Sequence, residues 1–102
     1  MIFKVYGARD EITEATIEHL NKTRKDNEDI MVFDIGNIEG YNEAVRDNIR
    51  YLPSVVCFDD NYTFIDILEN ICWHELEENG EYISRNWLHD LDEFIACMRD
   101  NV

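Results

Sequence analysis

Residues 49–58 read Ile49-Arg50-Tyr51-Leu52-Pro53-Ser54-Val55-Val56-Cys57-Phe58, and the chain's single proline divides the stretch into two kinds of structure. Upstream, Ile38, Tyr41, Ala44, Val45, Asn48, Ile49 and Leu52 recur at helical spacing, with Asn37 placed to cap the helix. The residue before a proline is driven out of helical geometry, so this helix is expected to run up to Pro53 and stop. Downstream, Ser54 to Phe58 is a continuous apolar, β-prone run and reads as a strand. Asp59-Asp60-Asn61 is a turn and Tyr62 to Ile67 a further strand, so the pair is expected to form an antiparallel hairpin.

Towards the N-terminus, Ile2 to Tyr6 is a strand that stops at Gly7. Asp10 or Thr13 caps a helix whose inner positions are Ile12, Ala15, Thr16, His19, Leu20 and Thr23. Lys22, Arg24 and Lys25 gather at its C-terminal end, where the helix dipole favours cations. Ile30-Met31-Val32-Phe33 is an unbroken apolar run, expected to be a strand buried on both faces and, from the crossover length, parallel to the first. Towards the C-terminus, Leu68, Ile71, Cys72, Glu75, Leu76 and Asn79 fit a short helix closed at Gly80. A last helix, capped near Ser84, buries Trp87, Leu88, Leu91, Phe94, Ile95 and Met98. The expected architecture is α/β: a single domain over residues 1–102, with a four-stranded mixed sheet flanked by helices and an acidic helical insertion before the last helix.

A chain of 102 residues forms one domain, and 45% apolar residues are too many for a disordered polypeptide. No membrane span or secretory leader is expected, and Cys57, Cys72 and Cys97 are an odd, widely spaced set without CxxC that suits a reducing cytoplasm. The strongest signal is charge: 23 acidic against 9 basic residues leave a net charge of -14. Between Tyr51 and Ser84 there is no Lys or Arg, whereas Asp59, Asp60, Asp66, Glu69, Glu75, Glu77, Glu78 and Glu81 all fall there. Such a surface repels nucleic acid and attracts basic proteins.

A βαβ half followed by a ββα half resembles the thioredoxin-like superfamily. The likeness is carried by Asp34-Ile35-Gly36-Asn37 after the second strand and, above all, by Leu52-Pro53-Ser54 at the head of the third. Phe3-Lys4-Val5-Tyr6-Gly7 is similar to the first strand of small bacteriophage glutaredoxins, and the resemblance covers residues 1–67 and the last helix. It implies that Pro53 is a structural cis-proline, a conformation open to X-Pro bonds. It also implies a nucleophilic cysteine at the start of the first helix, where the dipole would stabilise a thiolate. Here that loop reads Gly7-Ala8-Arg9-Asp10-Glu11-Ile12-Thr13, without cysteine, and the Gly-Gly with which glutaredoxins hold glutathione is also missing. The fold is expected to be kept and the dithiol chemistry lost, with no catalytic residue and no cofactor.

Cys57, mid-strand, and Cys97, on the last helix, read as small buried hydrophobes. Cys72 and His74 stand at i and i+2, which do not converge on one helix face, and no second pair completes a metal site. His19, His74 and His89 are scattered, and no nucleophile elbow or phosphate loop occurs. Glu77-Glu78 and Asp90, Asp92 and Glu93 read as solvated helix faces, and Asp59-Asp60-Asn61 lacks the remaining ligands of a calcium loop. Trp87 belongs to the core, whereas Trp73 and Tyr82 read as aromatic anchors among carboxylates that steer.

The function expected is therefore a non-catalytic, phage-type binding protein. Asp59, Asp60, Asp66, Glu69, Trp73, Glu75, Glu77, Glu78, Glu81 and Tyr82 would engage, and could inhibit, a basic or nucleic-acid-binding host protein, in one version by imitating a DNA backbone. The alternative is a divergent glutaredoxin-like oxidoreductase working through a displaced thiol, Cys72. A purely structural subunit is a third possibility.

Overall fold

The computed structural model describes residues 1–69 and 90–100 with their side chains, and the backbone of 74–78, 81–85 and 87–89. In chain order the elements are β1 (Ile2–Gly7), α1 (Glu11–Thr23), β2 (Asp29–Asp34), α2 (Ile38–Arg46), β3 (Ser54–Phe58), β4 (Phe64–Leu68), β5 (His74–Glu78), β6 (Glu81–Arg85) and α3 (Trp87–Asp100). The first four strands form one mixed sheet in the order β2-β1-β3-β4. The β1–β2 pair is parallel; β1–β3 and β3–β4 are antiparallel. β5 and β6 form a separate two-stranded antiparallel sheet.

The central strands β1 and β3 are buried along their whole length, and alternation sends their side chains into two cores. Phe3, Val5, Val55 and Cys57 meet Leu20 of α1 and Leu91, Phe94, Ile95 and Met98 of α3. On the opposite face Ile2, Tyr6, Val56 and Phe58 meet Ala44 of α2. α1 and α3 therefore cover one face and α2 the other. Burying each large apolar side chain stabilises the fold by roughly 1.5–3 kcal/mol.

Local chemistry fixes the helix ends. The Asp10 carboxylate accepts the Thr13 N–H at 2.9 Å and the Thr13 hydroxyl at 2.6 Å, capping α1. Asn37 caps α2 by accepting the Gly40 N–H at 2.9 Å. α2 ends at Arg46, well short of Pro53. Ile49 N–H bonds the Ala44 carbonyl at 2.9 Å, Asn48 N–H bonds the Val45 carbonyl at 3.1 Å, and Asn48 takes the left-handed conformation at φ 56°. That is a Schellman closure with asparagine in the position usually held by glycine, and it stops the helix before the proline can act. The Leu52–Pro53 peptide bond is cis.

Four further expectations are corrected. The segment read as an acidic helix from Leu68 to Gly80 contains β5, and Ser84 lies in β6, so α3 begins at Trp87. The signal legible in the sequence is Asn79-Gly80, the strongest short hairpin dipeptide, between His74-Glu75-Leu76-Glu77-Glu78 and the β-prone Tyr82-Ile83 of the following run. β2 is an edge strand and only half buried, with Val32 37% exposed, so its apolar run does not mark burial on both faces. The helical stripe of α2 is turned the other way, because Ile38, Tyr41 and Val45 are 75%, 58% and 62% exposed. α2 docks through Gly40 and Ala44 instead: a Cβ on Gly40 would stand 2.0 Å from the Asp34 carbonyl oxygen, an approach that only glycine permits. Cys97, finally, is exposed on α3 rather than buried.

Among the described residues, no helix is long and apolar enough to cross a membrane.

Candidate functional site

At the start of α1, where the family resemblance implies a thiol, Asp10 occupies the cap. The Thr13 hydroxyl, and after it the Thr13 N–H, hold the Asp10 carboxyl below the usual carboxylate range, so a fixed anion already uses the free N–H groups and the helix dipole. Arg9 precedes it in the left-handed conformation at φ 59° and pairs with Glu14. Cys57 is fully buried, and desolvation pushes its thiol up to about 11. Cys72 lies outside the described residues.

The acidic residues singled out in the sequence divide into distinct roles. Asp59 is part of the β3–β4 turn, its carboxylate accepting the N–H groups of Asn61 and Thr63, both at 2.9 Å. Asp60 pairs with the Met1 amino group. Asp66 is exposed on β4, where its carboxylate accepts the Ile67 N–H at 2.8 Å, and Glu69 is exposed just beyond the strand. Glu75, Glu77 and Glu78 lie on β5, and Glu81 and Tyr82 on β6, in a register that places Glu77 opposite Tyr82 and Glu78 opposite Glu81. Trp73 lies outside the described residues. Among the described residues no ion pair engages Asp59, Asp66 or Glu69, whereas Lys4, Arg9, Arg46 and Arg99 are each paired with a carboxylate elsewhere. Those four side-chain cations thus sit away from this hairpin, whose one described ion pair is that of Asp60 with the Met1 ammonium.

A second feature is a cleft of about 930 Å³ between β2 and α2, which exists because the nine-residue α2 covers only part of its sheet face. Its floor carries Lys4, 7% exposed in the middle of β1. The Lys4 ammonium lies 3.1 Å from Asp47 and 3.3 Å from Glu43, and 4.8, 5.6 and 5.8 Å from the ring centres of Phe58, Phe33 and Tyr62. Carboxylates and aromatic faces together compensate its lost hydration. Tyr6 stacks on Phe33 at 5.2 Å and donates its hydroxyl to Asp47, and burial followed by that hydrogen bond pushes the phenol well above its ordinary range. None of this cluster was singled out from sequence. Its one sequence signal was Lys4 itself, a charged residue inside Ile2-Phe3-Lys4-Val5-Tyr6 that a buried strand can hold only with partners.

Among the described residues no group of three or more His, Cys, Asp or Glu is placed to hold a metal ion. Comparison of the chain with family models, with characterised proteins and with solved structures finds no match.

Proposed function

We propose that the protein is a non-catalytic binding module of thioredoxin-like architecture, encoded by a phage and acting in the host cytoplasm, which engages a host protein through an acidic surface. The strand order β2-β1-β3-β4, with α1 and α3 on one face and α2 on the other, supports the architecture. Asp10 at the cap of α1 supports loss of thiol chemistry there. One observation carries the partner reading: among the described residues no ion pair engages Asp59, Asp66 or Glu69, and these three are followed in the chain by the carboxylates of β5 and β6. A surplus of this kind raises the local concentration of a basic partner and speeds its association. The partner is a protein whose basic surface ordinarily meets nucleic acid.

The test is capture from a nuclease-treated bacterial lysate, with bound proteins released by stepwise salt. Release of a nucleic-acid-binding protein by salt, and its displacement by added DNA, is the expected result. Recovery only of species that a reductant releases would move the displaced-thiol reading ahead.

A further inference from the structure

We infer that the cleft between β2 and α2 receives an arginine side chain of the protein partner, its stem along Tyr62 and Phe33 and its guanidinium towards Asp34 and Glu39. The inference rests on the binding reading above and adds to it the site and the residue recognised.

The sign of the charge in the cleft comes first. Lys4 is matched by Glu43 and Asp47, and Arg46 by Glu43 at 3.0 Å, so the built-in cations are already neutralised. Asp34 and Glu39 also line the cleft, and among the described residues no ion pair engages either. An anionic ligand would find no uncommitted cation there, whereas a cationic one would find two carboxylates. The walls make the same point: carboxylates and aromatic rings already hold one ammonium, that of Lys4, in this cleft.

Tyr62 supplies an independent observation. It is 56% exposed yet held at φ 60°, a conformation that asparagine or glycine would adopt more readily. Its hydroxyl reaches the Met31 sulfur at 3.8 Å, which fixes the ring beside β2 at the open mouth of the cleft. A strained, exposed aromatic at the edge of an acidic cleft fits a stacking platform. Guanidinium is preferred to ammonium because its plane stacks on an aromatic ring while its edge binds carboxylates.

The experiment is a titration of the isotopically labelled protein with acetyl-Gly-Arg-Gly-amide, followed by amide chemical shifts, with the citrulline and lysine peptides as controls. Saturable shifts at Phe33, Asp34, Gly40 and Tyr62 with the arginine peptide, weaker with lysine and absent with citrulline, are expected. Tyr62→Asn keeps a residue suited to the left-handed backbone and should weaken binding about two- to fivefold. Glu39→Gln, on an exposed helix position, should weaken it further. Absence of saturable shifts, shifts confined to other residues, or equal binding of citrulline would overturn the inference. Should Tyr62→Asn and Glu39→Gln retain the lysate partner at wild-type strength, the cleft falls and the binding reading stands. If the peptide binds in the cleft while no basic partner is captured, the reverse holds.

Discussion

Arg99 clasps Glu28, its Nε and Nη2 lying 3.0 and 2.9 Å from the two carboxylate oxygens, and so ties the last turn of α3 to the turn before β2. The same guanidinium donates to the Thr23 carbonyl at 2.8 Å, and Glu28 is only 2% exposed. One residue thereby closes the C-terminal end of α1, the approach to β2 and α3 together.

Removing Arg99 leaves a buried carboxylate without its partner. Arg99→Ala is expected to lower stability by about 3 kcal/mol, the lower end for a broken buried pair because the guanidinium is partly exposed. Arg99 first, and the Lys25 N–H after it, hold the Glu28 carboxyl below its usual range. Its contribution is therefore complete above the unfolded value of about 4.3 and is lost as pH falls through the lower folded value. Urea unfolding should show the gap between wild type and Arg99→Ala narrowing from neutrality to about pH 3. A constant gap would contradict the assignment.

Gly40→Ala tests the docking of α2. The new methyl would meet the backbone of Asp34, which cannot turn aside, so a loss of about 1–3 kcal/mol is expected despite alanine's better helix propensity. Val45→Ala, at a position 62% exposed, should change stability by less than about 0.5 kcal/mol. Comparable losses in both variants would mean that the exposed stripe is part of the core.

At the other helix, Asp10→Ala removes an acceptor of the Thr13 N–H and hydroxyl and should cost about 1 kcal/mol. Asp10→Asn keeps a cap and should lose less. Because the carboxyl is held below its usual range, the difference between Asp10 and Ala is full at neutral pH and narrows in acid towards that of a neutral cap. Thermal unfolding across that range measures it.

Thiol reactivity separates Cys57 from Cys97. With Cys57 pushed up to about 11 and Cys97 exposed, an aromatic disulfide reagent at mildly alkaline pH should label Cys97 in the folded protein and Cys57 only after unfolding. Stability that comes from burying the neutral Cys57 thiol is complete below the ordinary value of 9.0 and is lost as pH rises towards about 11. Rapid labelling of Cys57 in the native state, identified by mass spectrometry, would show that β3 opens.

Strong local patterns made most of the main sheet readable. Val55-Val56-Cys57-Phe58 after the only proline, and Leu91, Phe94, Ile95 and Met98 at helical spacing, placed β3 and α3 in the core where they lie. Spacing failed where two periods competed. Leu68, Ile71, Cys72, Glu75 and Leu76 satisfy a helix, but the runs flanking Asn79-Gly80 satisfy a hairpin, and β5 and β6 show which prevailed. In α2, spacing showed that Ile38, Tyr41 and Val45 share a face without showing that the face is buried; the small pair Gly40 and Ala44 marked the docked side. The cleft had no local signature, because Lys4, Phe33, Asp47, Phe58 and Tyr62 come from β1, β2, the end of α2, β3 and the β3–β4 turn and meet only in the folded chain.

The central claim is an acidic surface that captures a basic partner, and its most direct measurement compares lysate capture by the wild-type chain and by a variant with Asp66→Asn, Glu69→Gln, Glu77→Gln and Glu78→Gln. Asp66 and Glu69 serve no ion pair found among the described residues, and circular dichroism checks that the fold survives the four substitutions. The account predicts one nucleic-acid-binding protein retained by the wild type, released by salt, and lost from the variant. Equal capture by both proteins, unchanged at high salt, would contradict it.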